Sequence, residues 1–187
     1  MSRAFGAADT TQVVIVAPAS HLRGAGALVS SHPRAGDVTV VAGGAERTHS
    51  VAAGLAALRP DVDIVLVHDA ARCLAPADLF DRLVTAVRDG SDAVVPGLPV
   101  TDTIKQVDAD GRVVATPARS SLRAIQTPQA FRRTVLARAH ASGAEATDDA
   151  ALVELLGVAV DVVEGDELAF KITTSADLER ASRILGS

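Results

Sequence analysis

Short runs of small aliphatic residues alternate with stretches of helical spacing, and this alternation restricts the chain more than any other feature. Gln12–Pro18 (QVVIVAP), Val38–Val41, Ile64–Val67, Asp92–Pro96 (DAVVP) and Val158–Val163 have the length and β-branched content of buried strands. Between them, His49–Leu58 sets Val51, Leu55 and Leu58 on one face, and Pro76–Val87 opens on a proline and aligns Leu79, Leu83 and Val87. Asp148–Leu156 and Ser175–Leu185 are two further predicted helices, the last with Ser175 as N-cap and Asp177 at the positive end of its macrodipole. Strand and helix in turn predict an α/β fold of Rossmann-like type, a mostly parallel sheet flanked by helices, with ligands at the carboxyl ends of the strands. The chain is 48% hydrophobic but has four Phe and no Trp or Tyr, so its core is built from Ala, Val, Leu and Ile. Such a core suits strands covered on both faces. Residues 1–187 are enough for a single domain.

One stretch departs from the pattern. Thr101–Phe131 (TDTIKQVDADGRVVATPARSSLRAIQTPQAF) holds two short strand signals, Ile104–Val107 and Arg112–Ala115, around the turn Asp108-Ala-Asp-Gly111. It carries few core-sized residues. A long excursion without its own core packs on something else, and a second subunit is one candidate.

Charge and cysteine usage exclude several classes of function. The formal net charge of −5 gives no basic stripe for nucleic acid. Cys73 is the single cysteine, so neither an internal disulfide nor a cysteine-rich zinc site can form. No apolar run approaches the roughly 20 residues of a membrane span, and the opening residues carry no secretory-leader pattern. A cytoplasmic protein that binds neither nucleic acid nor membrane is expected.

Three segments could carry chemistry. Gly43-Gly44-Ala-Glu-Arg47-Thr-His-Ser50 follows a strand and opens a helix, where close backbone approach and free N–H groups welcome an anion. Arg47 and Ser50 could then touch a base, ribose or phosphate, although a Gly-Gly turn before a helix is also ordinary loop punctuation. In Val67-His-Asp-Ala-Ala-Arg72, Asp69 stands at a strand end, placed for a metal ion or a sugar hydroxyl, and Arg72 suits bidentate phosphate contact. An Asp cap with a surface Arg partner fits that pattern equally well. His68 reads as a positioned strand residue, since no second His or Cys lies at metal-ligand spacing. Phe170-Lys171-Ile-Thr173-Thr174 puts a compact positive charge and hydroxyls before a helix; a solvated lysine is the plainer reading. Thr147-Asp148-Asp149 is explained by helix capping. There is no nucleophile elbow and no Walker loop. The inventory favours phosphoryl-type chemistry done by positioning and charge neutralisation.

GGAERTHSV, VHDAAR, DTIK, LRAIQTPQAF, TDDAALVE and FKITTSADL together resemble the 2-C-methyl-D-erythritol 4-phosphate cytidylyltransferases, in order and approximate spacing, from about residue 10 onward. The resemblance implies transfer of CMP from CTP to methylerythritol phosphate with release of pyrophosphate, in isoprenoid precursor synthesis. It implies magnesium as cofactor, with Asp69 as a weak candidate ligand, and a homodimer joined through a 101–131 arm. Gly43, Gly44, Arg47 and Ser50 would form the cytidine pocket. Asp69 and Lys171 would hold the sugar phosphate, with Thr147 and Thr173 nearby. Thr103, Arg119 and Thr127 would complete the partner's site, with Arg72 close to that junction. A different pentitol phosphate acceptor, or a non-catalytic homologue that binds nucleotide or sugar phosphate, are the alternatives.

The family begins with a strand and a glycine-rich loop, roughly Pro-Ala-Ala-Gly-x-Gly-x-Arg, followed by Pro-Lys. The opening MSRAFGAADTTQVVIVAP resembles the segment after the family's first helix. Arg23-Gly24-Ala25-Gly26 lacks a Pro-Lys pair behind it and reads as a loop. The first strand and the main catalytic cations are therefore expected to be missing, and one such charge can be worth about 10³-fold or more in rate. The expectation is a chain unstable or inactive by itself, with a start assigned too late as the simplest reason and a degenerate paralogue as the other.

Overall fold

The structure is a computed structural model and describes residues 1–186. A short helix α1 (Ser2–Gly6) leads to β1 (Val13–Ala17), α2 (Leu22–Ser30), β2 (Val38–Ala42), α3 (Arg47–Ala56) and β3 (Ile64–Val67). Then come α4 (Ala77–Arg88) and β4 (Ala93–Pro99), followed by β5 (Gln106–Val107), β6 (Val113–Ala115), β7 (Arg123–Ile125) and β8 (Gln129–Arg132). The chain ends in α5 (Arg133–Ala141), α6 (Asp149–Glu154), β9 (Asp161–Glu164) and α7 (Ser175–Gly186). The α/β class expected from the sequence is the one observed.

The main sheet runs β3-β8-β4-β7, with β9 on the other edge of β4. β3, β4 and β9 share one direction; β8 lies antiparallel between β3 and β4. Both faces of this sheet are covered, as the all-aliphatic strands require. Along β4 the side chains alternate: Val94 joins Leu79, Phe80, Leu83 and Val87 of α4, while Ala93 and Val95 join Phe131, Leu136, Leu152 and Val153 on the opposite face.

β1 and β2 form a separate parallel pair. Among the described residues β1 pairs only with β2 and β3 only with β8, so the facing edges of β1 and β3 carry no ladder. A cavity of about 650 Å³ lies between them, lined by Val13–Val16, Ile64–Val67, Val51, Leu55 and Phe80. β1 and β3 are accordingly only half-buried despite their Val/Ile content.

Two expectations need correction. Gly24 and Gly26 do not make a loop; both lie inside α2. Each glycine costs a helix about 1 kcal/mol relative to alanine, but the buried Val29 and the packing of α2 on β1 and β2 carry the helix. The arm also ends earlier than Phe131. Residues 126–130 are buried, and Gln129–Arg132 is a central strand of the main sheet. What projects is residues 101–122, with the β5–β6 hairpin closed by Gly111 at φ +80° and β7 at the base of the arm joining the main sheet. Asp108 Oδ1 stiffens that turn by accepting the N–H groups of Asp110 and Arg112.

In hydrogen exchange, the β1 amides that point away from β2 should exchange faster than any in β4 or β8, which have neighbours on both sides. Equal protection of β1 and β4 would contradict the unpaired edge.

Candidate functional site

The carboxyl ends of β2 and β3 and the segment before α7 meet at one end of the fold. Arg47, Ser50, His68 and Asp69 line the same cavity. The loop after β2 is shaped by close packing. The Gly43 N–H donates to the Ala17 carbonyl at 2.9 Å and extends the parallel ladder by one bond. A Cβ on Gly43 would come within 2.7 Å of Ser50 Oγ, and one on Gly44 would collide with His49 Cβ. Neither glycine has positive φ; they are needed for proximity. The Ser50 hydroxyl donates to the Glu46 carbonyl and accepts from the Gly44 N–H at 3.2 Å. It therefore holds the loop on the first turn of α3. Arg47, the first residue of α3, donates to Asp149.

The VHDAAR segment turns on His68. The β3–β8 register sets Val67 opposite Gln129, so the residues leaving β3 and those entering β8 emerge side by side. The Asp69 N–H donates to Thr127 Oγ1 at 2.9 Å, and Thr127 Oγ1 lies 3.1 Å from His68 Nδ1. Burial lowers the His68 pKa to about 4, against smaller raising effects from a backbone hydrogen bond to Arg72 and from the Asp69 charge. The neutral ring shares a hydrogen bond between Nδ1 and the Thr127 hydroxyl and packs in a T-shaped arrangement with Phe80, centroids 5.2 Å apart. Thr127 is 6% exposed. Thr127, expected to complete a partner's site from the arm, has its hydroxyl engaged within its own chain, where it orients the backbone of Asp69.

Asp69 carries two cations. Lys171 Nζ lies 3.1 Å from its Oδ2 and Arg72 Nε 3.7 Å from the same oxygen. Arg72 is largely enclosed: its guanidinium donates to the Ala169 carbonyl at 2.7 Å, and its Nε–H is buried with no hydrogen-bond partner. Desolvation lowers the Arg72 pKa, with the Asp69 charge opposing. The Lys171 segment is anchored by the Ile172 N–H to the Ala71 carbonyl at 2.9 Å. It is anchored again by Asp177, whose Oδ2 accepts the N–H and hydroxyl groups of both Thr173 and Thr174. These bonds hold the Asp177 carboxyl at about 2. Thr174, not Ser175, caps α7, since its Oγ1 accepts the Asp177 N–H at 3.2 Å.

The other expected residues lie apart from this cluster. Thr147 is exposed just before α6. Thr103 and Arg119 are exposed on the arm, where Arg119 donates to the Thr101 carbonyl at 2.7 Å. No described bond joins either to Asp69 or Lys171. The expected divalent cation finds little support in these residues. Among the described residues no group of three or more His, Cys, Asp or Glu could hold a metal ion. Asp69 is already neutralised by Lys171 and Arg72, so it does not fit a protein-held cation and no step is routed through one.

Sequence reasoning did not single out His140 or Gln129, and it gave Asp149 and Asp177 only helix-terminus roles rather than the bonds seen here. A signal existed for Asp149: it shares the apolar face of α6 with Leu152 and Val153, at spacings of three and four, where a solvated acid does not belong.

A family description, 2-C-methyl-D-erythritol 4-phosphate cytidylyltransferase, matches residues 2–187. The chain is 52% identical over 176 residues to a protein of that name from Frankia casuarinae, covering 94% of this chain and 64% of that one. It is 52% identical over 188 residues to a bifunctional IspD/IspF enzyme of Clavibacter michiganensis, covering 99% of this chain and 46% of that one. The chain thus spans less than two thirds of either relative. A 4-diphosphocytidyl-2C-methyl-D-erythritol synthase structure from Anaerococcus prevotii superposes with a TM-score of 0.90 at 30% identity, over 100% of this chain and 83% of that one.

The geometry gives two expected outcomes. Between pH 6.5 and 4 the unfolded chain binds a proton at His68 that the folded chain refuses, so stability falls as pH drops through that window, by at most about 3 kcal/mol. Urea titrations at stepped pH should show this slope, and His68→Asn should flatten it. Gly44→Ala should displace the loop and destabilise by about 1–3 kcal/mol, with a matching fall in any nucleotide affinity; an unaltered melting curve would refute the close-approach reading.

Proposed function

The chain belongs to the 2-C-methyl-D-erythritol 4-phosphate cytidylyltransferase family, and from that premise we propose that it transfers CMP from CTP to 2-C-methyl-D-erythritol 4-phosphate. The observation that carries the reading is the Asp69–Lys171–Arg72 cluster at the tip of β3, in the same cavity lining as the Gly43–Ser50 loop. A phosphate oxygen of the acceptor attacks the α-phosphorus of CTP. One phosphorus–oxygen bond forms, the bond to the bridging oxygen breaks, and pyrophosphate leaves. The nucleophile is already an anion, so no strong general base is required. The protein's task is to bring two polyanions together and offset their repulsion.

In this reading Lys171 moves from Asp69 to the incoming phosphate, and the freed Asp69 oxygen accepts a polyol hydroxyl. The unpaired Nε–H of Arg72 faces the same carboxylate and completes the positive side of the clasp. Gly43, Gly44, Arg47 and Ser50 take the cytidine end. Thr173 is held ready by Asp177 beside the sugar phosphate, and Thr147 lies at the rim. Ile104, Val107, Val113, Val114 and Ile125 leave an apolar surface on the arm. A second copy of the chain covers it in this proposal, bringing Thr103 and Arg119 to the partner's site. Magnesium would come with the triphosphate rather than from a carboxylate cluster. No described helix is long and apolar enough to cross a membrane; the proposal places the reaction in the cytoplasm.

The test is pyrophosphate release from CTP, measured with and without the polyol phosphate, alongside calorimetry of each ligand. Acceptor-dependent release is the expected result. Tight acceptor binding without release would replace the enzyme by a binding protein. Lys171→Ala should weaken the acceptor's affinity by roughly ten-fold or more, the scale of one lost charge-assisted contact, and leave CTP affinity unchanged.

A further inference from the structure

Two adjacent aspartates open α6, and they do different work. Asp148 is the cap: one oxygen accepts the Ala151 N–H at 2.9 Å and the other the Gln129 amide at 2.8 Å. Asp149 turns inward and is fully buried among Ala150, Leu152 and Val153. A lone carboxylate in such a place costs several kcal/mol unless it is paired. Both of its oxygens are taken: Oδ1 by His140 Nε2 at 2.8 Å, Oδ2 by the Arg47 guanidinium at 2.5 Å. Burial pushes the Asp149 pKa up, but the His140 bond and the Arg47 charge more than reverse this and hold it below the usual carboxylate range.

The His140 side chain, from α5, is 5% exposed, whereas that of Arg47 keeps 41% of its surface open at the cavity. The pairing has two effects on Arg47. It ties down a guanidinium that has five N–H donors, and on a side chain so open at the cavity the donors not bonded to Asp149 remain available to a ligand. It also sets a full negative charge against the positive one, so a ligand feels directed donors and little net field. Such a group suits an uncharged acceptor, a pyrimidine carbonyl or a ribose hydroxyl, better than a phosphate. Lys171 differs: it is half exposed and its partner Asp69 is accessible, so it can exchange that partner for an incoming anion.

From this we infer that Asp149, backed by His140, is a positioning residue that holds Arg47 as a charge-compensated donor for the nucleoside part of the nucleotide. The inference rests on the cytidine-nucleotide reading of the Gly43–Ser50 loop. It is tested by titrating cytidine, CMP and CTP into the unmodified chain, Asp149→Asn and Asp149→Glu, with thermal midpoints recorded in parallel. Asp149→Asn should weaken all three ligands by roughly ten-fold, equivalent to about 1.4 kcal/mol. The loss should be no greater for CTP than for cytidine, polyol-phosphate affinity should be unchanged, and Asp149→Glu should recover part of the loss. Should Asp149→Asn fail to fold, Arg47→Lys on the exposed side of the pair is expected to give the same even loss. A loss that grows with each phosphate would overturn the nucleoside assignment. Unchanged nucleotide affinity with only a lower midpoint would reduce Asp149 to a structural residue. If the unmodified chain bound none of the three ligands, the functional reading itself would fall, and this one with it.

Discussion

The antiparallel ladder between β3 and β8 is the constraint on which the site depends. Its register sets Ile64 opposite Arg132 and Val67 opposite Gln129, so His68 leaves the sheet beside Thr127. That single adjacency lets a threonine hydroxyl hold the backbone of Asp69 and satisfy a buried imidazole. The register is enforced from both faces. Phe131 is fully buried on the α5–α6 side and Ala130 on the α4 side. A slip of one residue would drive Phe131 into the space that Ala130 occupies against Leu83 and Val94, and would take Thr127 away from Asp69. Packing of the core and placement of the chemistry are therefore one event.

On that frame the charges are arranged in graded pairs. Arg47–Asp149 has one fully buried member and cannot open without leaving a buried carboxylate with His140 as its one remaining partner. Lys171–Asp69 is half exposed on the lysine side and can open cheaply into water or onto an anion. Arg72 lies between these extremes, enclosed against the Ala169 carbonyl with one donor unused. In the proposed function the buried pair would fix geometry, the half-exposed pair would exchange partners, and Arg72 would add positive charge behind Asp69. Asp177 lies outside this set and gathers the Thr173 and Thr174 groups next to Lys171.

Much of this frame was legible in the sequence. β3 falls where its four-residue Ile/Val/Leu run ends, and α3, α4, α6 and α7 lie within a residue or two of their periodic patterns. The failures share a cause. Read from sequence, Arg23-Gly24-Ala25-Gly26 is compared only with a glycine-rich ligand loop, whereas its two glycines sit in α2, a helix that packing on β1 and β2 sustains. β8 reads QAFR, with two aliphatic-or-aromatic positions and a proline before it, and only the neighbours on both edges make it a central strand. Thr127 and Asp149 are single polar residues in apolar surroundings. Thr127 meets partners 58 and 59 residues away and Asp149 meets Arg47 102 residues away, separations that no local pattern encodes, although the second partner of Asp149, His140, is only nine residues off.

The same long-range ties decide how two substrates could be aligned. The loop after β2 belongs to the two-stranded sheet, whereas the Asp69–Lys171 clasp belongs to the five-stranded one, and no ladder joins them. What spans the gap is side-chain work. Arg47 reaches Asp149, and Leu55 of α3 packs into the α5–α6 core. Arg133 donates to the carbonyls of Arg59 and Val62 at 2.7 and 3.2 Å, while Gln12 accepts the Arg59 N–H at 2.9 Å and bonds to Ala57. Reaction by approximation demands sub-ångström alignment of nucleophile and electrophile, and in the proposed reaction that alignment would rest on these few bridges. The Arg47–Asp149 bond is the bridge that starts from the loop after β2 itself, joining the first turn of α3 to the first turn of α6. In the proposed reaction it would tie the nucleotide end of the site to the main sheet as well as direct one guanidinium, which gives a fully buried carboxylate a part in the site's geometry.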